Sequence, residues 1–324
     1  SDKAPLSSPS ASAQKRRSSR SGPFLIRCYR PMNGPFYYRC SHAYLAAFIS
    51  AEMKAQEIGP RDFVLLVRQK AADYAAILDP AFRTAGLTLR NEAGVVGTVM
   101  LQELLAEEIS TLLVCMLRLA MTDRAGKHWS ECLEILQGLW GIGIEDIADQ
   151  TRLARELDTF SLGLRRAHPA PIISAAASHA LVAEVLDFVG RERLVTAHPA
   201  YAQGDWFNKV SEAAGLHLAA CCEGAVNWAA VLDDYEGLHA VPLMTIHKSK
   251  GLEYHSVIFV GLDDGAWWSF DRDKIEATAG FFVAFTRAKQ RVVFTYCAQR
   301  GERLRIAALY QLLASAGVPA IAVA

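Results

Sequence analysis

The chain has 324 residues, no formal net charge and 52% apolar residues. Neutral charge excludes a wholesale basic coat for nucleic acid but leaves room for a local basic groove. The apolar share is enough for a sizeable core, and the length suggests two domains. Seven cysteines include no Cys-x-x-Cys pair and do not cluster with the nine histidines, which argues against a zinc site and reads as reduced thiols in a cytosolic protein. No apolar run reaches the length of a membrane span, and no long apolar region follows the basic N-terminal residues as in a signal peptide.

Residues 1–22 are Ser-rich and basic, with almost nothing to bury, and read as a flexible linker. FLIRCY, from Phe24, reads as a short buried strand, and YLAAFISAEM, from Tyr44, has helical spacing. DFVLLVR, from Asp62, is predicted as a strand with an unbroken apolar centre, the pattern of a strand covered on both faces. A helix over 71–85 and a strand at LTLR, from Leu87, continue the alternation of a parallel α/β sheet. From Leu101 the spacing is helical almost to Leu238, beginning with LQELLAEEISTLLVCMLRLAM as one long helix. Pro169, Pro171 and Pro199 mark breaks in this region. The strand–helix rhythm then returns: VPLMTI and HSVIFVGL are strands, 274–289 is mostly helical, RVVFTYC is a strand and 303–316 is a closing helix. The expected organisation is therefore one α/β domain over 23–121 and 239–317, an all-helical insertion over 122–238, and a tail over 318–324.

Two polar joins interrupt the apolar runs. A parallel sheet places ligands beyond the carboxyl ends of its strands, and HKSKGLE follows the strand VPLMTI at such a place. Gly251 allows a sharp turn or close approach of backbone to a ligand. Lys248 and Lys250 suit phosphates and Glu253 suits a ribose hydroxyl; a polar loop capping a helix is the plainer reading of the same residues. The second join, Thr286, Arg287, Ala288 and Lys289, puts a permanently charged guanidinium at a helix end. That suits a transferring phosphoryl group, and equally a cation meeting the helix dipole.

TIHKSKGLEYHSVIFVGL resembles motif V of superfamily 1 DNA helicases of the UvrD, Rep and PcrA type, with HKSKGLE closest to RecB and AddA relatives. FVAFTRAKQRVVFTY resembles their motif VI, and DFVLLVRQKAADYAAILDPAFRTAGLTLR their motif IV region. The resemblance implies a RecA-like, mainly parallel sheet interrupted by a helical accessory subdomain: the second motor domain of an ATP-dependent DNA helicase or translocase. It implies that Arg287 is the arginine finger and that Arg68 also approaches the γ-phosphate of ATP. Gly251 and Glu253 would lie near the nucleotide, and Thr245 and His247 would face single-stranded DNA, with Lys248 and Lys250 on either surface. Tyr254 and Trp267 are candidates for stacking on bases, set against a plain core role. Two departures stand out: of the acidic-basic run that opens motif VI only Glu276 is kept, and Ala266, Trp267 and Trp268 follow the acidic turn after motif V. VIFVGLDD also admits a reading as a magnesium-binding strand, with Asp263 or Asp264 as ligand.

No G-x-x-x-x-G-K-[ST] loop and no DExx box occurs in these 324 residues. In the resembling family both belong to the first RecA-like domain. The expectation is therefore a C-terminal half that does not hydrolyse ATP alone. ATP and magnesium would be held mainly by the N-terminal RecA-like domain, with single-stranded DNA and that domain as partners. A nuclease or repair partner belongs to the same resemblance, as do a bacterial cytoplasmic setting and no membrane. A non-catalytic DNA- or protein-docking module of helicase shape is the alternative.

Overall fold

The computed structural model describes residues 24–28, 37–122, 125–171, 174–297 and 302–323. The linker expected over 1–22 lies outside the described residues. Seven strands form one sheet: β1 (Phe24–Cys28), β2 (Phe63–Val67), β3 (Thr88–Asn91), β6 (Ala240–Thr245), β7 (Tyr254–Phe259), β8 (Ala288–Cys297) and β9 (Ala320–Val323). A two-stranded antiparallel ribbon, β4 (Val95–Val96) with β5 (Val99–Met100), follows β3. Across the large sheet the order is β3, β6, β2, β7, β8, β1, β9, and each of these neighbouring pairs runs parallel.

The unbroken apolar runs explain this sheet. All five residues of β2 are buried, and they alternate between two cores. Phe63, Leu65 and Val67 join Val241, Leu243, Ile258 and Val293 on one face, packed under α1 (Tyr37–Gln56) and α2 (Ala71–Thr84). Val64 and Leu66 join Met244, Val257, Phe259, Val292 and Phe294 on the other, under α11 (Lys274–Phe285) and α12 (Ala307–Ser315). α2 buries Ala71, Tyr74, Leu78 and Phe82, a stripe at helical spacing. The result is a three-layer α/β/α domain, the RecA-like class expected.

Among the described residues eight α-helices separate β5 from β6: α3 (Leu101–Ala106), α4 (Glu108–Met121), α5 (Ala125–Trp140), α6 (Ile147–Ala167), α7 (Ala175–Val189), α8 (Arg191–Ala197), α9 (Trp206–Cys222) and α10 (Trp228–Glu236). They share a core of their own, running from Val99 to Tyr235. Three expectations need correction. The long helix over 101–121 is two, because Glu107 takes an extended conformation (φ −74°, ψ 144°) between α3 and α4. Both halves pack into the helical core, so the helical lobe begins near Val99 rather than at 122. The 318–324 tail contains β9, which pairs with β1 and extends the sheet.

Arg90 at the sheet edge holds the lobe. Its guanidinium donates to the carbonyls of Asp234 and Tyr235, both at 3.0 Å, where α10 ends. Buried His217 of α9 donates from Nε2 to the same Tyr235 carbonyl at 3.0 Å, the contact that assigns its tautomer. Burial, opposed by that hydrogen bond and reinforced by Arg90, pushes the His217 pKa down to about 4.

Candidate functional site

Thr245 closes β6 beside Val67, at the carboxyl edge of the sheet. Ile246 then donates its N–H to the Val67 carbonyl at 2.9 Å, and Ser249 returns both N–H (3.2 Å) and Oγ (2.7 Å) to the Ile246 carbonyl. These bonds fold His247–Ser249 into one tight turn. Gly251 follows at φ 88°, a backbone conformation that side-chain-bearing residues rarely adopt. β7 begins at Tyr254, at the opposite, amino edge. Residues 246–253 therefore travel back along the whole sheet, about 20 Å at the usual strand rise. Parallel crossovers usually take a dozen residues or more; here eight suffice, with a single turn among them.

The segment thus connects two edges. At the carboxyl edge Thr245 is half-buried and His247 exposed. Lys248 is held twice by α3: its Nζ meets Glu103 Oε1 at 2.7 Å, and its carbonyl accepts from Gln102 Nε2 at 2.7 Å. Lys250 is exposed. Near the amino edge lie exposed Gly251 and Glu253, the latter facing Lys289 Nζ at 3.6 Å.

Arg287 stands at that same amino edge, between the end of α11 and the first residue of β8. Its carbonyl accepts from the Tyr254 N–H at 2.8 Å, which stitches the two motifs together. Its guanidinium donates to the Val283 carbonyl (3.0 Å), the Leu252 carbonyl (3.4 Å) and Thr286 Oγ1 (3.0 Å). Arg287, Lys289, Gly251 and Glu253 are brought together. Two cations and a glycine turn suit phosphate oxygens, and a lone carboxylate suits a sugar hydroxyl.

Arg68 is not part of this group. It follows β2 at the carboxyl edge, stacked over Trp267 (4.7 Å) and donating to Ser269 Oγ at 2.9 Å. Burial lowers its pKa, and nearby Glu276 opposes that shift. By strand register Arg68 and Arg287 stand roughly 25 Å apart, farther than two arginine side chains span. The expectation that both approach one phosphoryl group from this domain is corrected accordingly.

Other expectations resolve the same way. Tyr254 and Trp267 are buried, and their rings belong to the core rather than to a base-stacking surface. Asp264 is consumed as a loop clasp: its carboxylate accepts N–H groups from Leu304, Arg305 and Ile306. Asp263 caps the Ala266 N–H at 2.8 Å. Both carboxylates are thus used in the loop after β7, as a clasp and as a cap. Exposed Trp268, with Arg272 over its ring at 4.9 Å, borders a cavity of about 650 Å³ shared with Gln69, Lys70 and Tyr74. Sequence reasoning missed Gln102, Glu103 and Lys289. Lys289 lay inside the motif, but nothing local ties 102–103 to a lysine 145 positions away.

A three-layer parallel sheet with a helical lobe inserted between two neighbouring strands is a RecA-like α/β fold with an inserted helical subdomain. Within it, residues 229–299 match the UvrD-like helicase C-terminal domain family. The ATP-dependent DNA helicase Rep of Buchnera aphidicola (subspecies Acyrthosiphon pisum) is 42% identical over 77 residues, 22% of this chain and 12% of that protein. The Rep helicases of Salmonella typhimurium and Escherichia coli are 42% and 40% identical over 77 residues, again 22% of this chain and 11% of each relative. These matches and the fold support a UvrD/Rep-like superfamily 1 helicase C-terminal half. The aligned stretch spans about a tenth of the length of these relatives.

Proposed function

We propose that this chain supplies the second RecA-like domain of an ATP-dependent DNA helicase or translocase. Arg287 acts as its arginine finger, toward ATP and magnesium held mainly by an N-terminal RecA-like domain. Gly251 and Glu253 lie near the nucleotide, Glu253 at the ribose, and Thr245, His247, Lys248 and Lys250 form part of a single-stranded DNA track. The observation that carries this reading is the 246–253 segment, whose two ends stand at opposite edges of the sheet and whose far end packs on Arg287. A short connection, pinned by α3 at one end and by Arg287 at the other, is suited to passing a displacement between a DNA edge and a nucleotide edge. The residues at the amino edge fit a phosphate and a sugar, and in this reading magnesium is held by the other domain. ATP, when bound, supplies the phosphoryl group; this chain's part is to place a guanidinium against its developing charge. A nuclease or repair partner and a cytoplasmic setting complete the proposal. Among the described residues no helix is long and apolar enough to cross a membrane.

One observation favours a second reading. All three donor nitrogens of Arg287 already have partners within the chain, as in a helix cap. A docking module that kept the helicase shape without catalysis would look the same. Joining this chain to a RecA-like domain bearing the phosphate loop, and measuring DNA-stimulated ATP turnover with Arg287 intact and replaced by alanine, separates the two. Loss of turnover in the folded variant supports the finger; unchanged turnover supports the docking module.

A further inference from the structure

Two buried thiols of the helical lobe have no part in the function proposed above. Cys115 of α4 and Cys132 of α5 point at each other with Sγ–Sγ 2.7 Å. That is well inside the van der Waals separation of two sulfur atoms and only a short movement from a bond of about 2.05 Å. Both side chains are nearly inaccessible, at 7% and 1%. Cys115 nevertheless lines a cavity of about 360 Å³, together with Thr111, Lys127, His128 and Glu131. Lys127 is exposed and Glu131 half-buried at its rim, so the cavity opens at the surface and brings a small oxidant to Cys115. Cys221 and Cys222, although adjacent in sequence, sit on successive positions of one helix and point in different directions.

The geometry points to Cys115 and Cys132 as a modification site, a dithiol that closes to a disulfide under peroxide and locks α4 to α5. Cys115, on the cavity, is the attacking sulfur. Its thiolate displaces hydroxide from hydrogen peroxide to give a sulfenic acid. The Cys132 sulfur then attacks that sulfenic sulfur, forming the S–S bond and expelling the oxygen as water. Two thiols and one peroxide give one disulfide and two waters; both sulfurs are oxidised and the peroxide is reduced. The hydrogen bond to Cys115, and then burial, push the Cys132 thiol up; the roles are assigned by access, since Cys115 lines the cavity and Cys132 is 1% exposed behind it.

The test uses the whole chain, purified reduced and then treated with stoichiometric hydrogen peroxide. Trypsin cuts after Arg90, Arg118, Lys127 and Arg152, which leaves Cys115 in fragment 91–118 and Cys132 in fragment 128–152. The expected result is a reducible cross-link between those two fragments and an intact mass lower by about 2 Da, the two hydrogens lost on bond formation. Each of Cys115→Ser and Cys132→Ser should abolish the cross-link, and Cys115→Ser should also slow peroxide consumption by the lobe. A cross-link between other cysteines, or sulfinic and sulfonic acids at Cys115 without the cross-link, overturns the inference. Mapping the unmutated chain decides the matter even if a variant fails to fold.

Discussion

Arg287 carries the functional reading, and its own hydrogen bonds define what must be measured. Replacing it with alanine in a protein that holds both motor domains should lower DNA-stimulated ATP turnover by at least about 10²-fold, against about 10³–10⁵ for arginine fingers measured in GTPases. Lysine should not restore it, because a point-charge ammonium lacks the planar fork. If Arg287 were only a cap over Val283, the same variant would lose about 0.3–1 kcal/mol of stability and no turnover per folded molecule. Lys248 gives an independent check on the proposed DNA edge. Glu103 occupies its ammonium, so a DNA phosphate must displace a carboxylate. Glu103→Gln should tighten single-stranded DNA binding and steepen its salt dependence by about 0.7 for each phosphate newly neutralised. Lys248→Ala should do the reverse; unchanged affinity in Lys248→Ala would remove that residue from the track. His217 sets an acid limit. Its folded pKa of about 4 lies below the ordinary 6.5, so the unfolded chain binds the extra proton between those values. Stability is therefore whole above pH 6.5 and falls on acidification toward pH 4, by an amount on the order of 3 kcal/mol from this residue. A pH series of urea melts should show that loss flattened in His217→Phe.

At the scale of elements, the strands were legible because burial on both faces leaves unbroken apolar runs such as FVLLV. The α2 stripe was legible from its spacing. The break at Glu107 was not, because no glycine or proline marks it: the chain bends through an extended glutamate whose carboxylate accepts from Trp206 Nε1 at 3.1 Å. The tail strand β9 was hidden by its brevity and takes its place only through β1. The two polar joins, 247–253 and 286–289, stood out as polar stretches between apolar runs, but the edge on which each falls did not; edge depends on register, and register follows from pairings remote in sequence. This is why Arg68 and Arg287 looked equivalent in the chain and stand at opposite ends of the fold. The hold of α3 on the 246–253 segment belongs here too. Gln102→Ala removes the bond to the Lys248 carbonyl, and hydrogen exchange should accelerate at amides 248–252 while the β6 and β7 amides keep their protection. Equal protection in variant and parent would mean that the turn holds itself.

For the whole molecule, three cores divide the labour: one on each face of the sheet and one inside the helical lobe. Phe281 is 1% exposed and wedged between Phe259 and Phe294, so Phe281→Ala should destabilise the sheet domain by about 3–5 kcal/mol. The cavity it leaves lies under α11, the helix that delivers Arg287, so a calorimetric loss should be accompanied by weaker turnover in the joined protein. The chain by itself, with no phosphate loop anywhere in its 324 residues, should show no ATP turnover above a buffer blank, with or without DNA.

β3 and β6 are hydrogen-bonded neighbours, and everything from Glu92 to His239 is one connection between them. In the arithmetic of chain closure, a parallel pair needs only enough residues to return along one strand length, and a single short helix satisfies it. The helical lobe is therefore a passenger on a junction that the sheet could close without it, free over generations to lengthen, shrink or be exchanged. The opposite holds for 246–253. Eight residues make the whole return there and three of them form the tight turn, so losing one would have to be taken up by unwinding that turn. Relatives of this fold should accordingly vary most in length between β3 and β6, and hold the length of the β6–β7 link fixed.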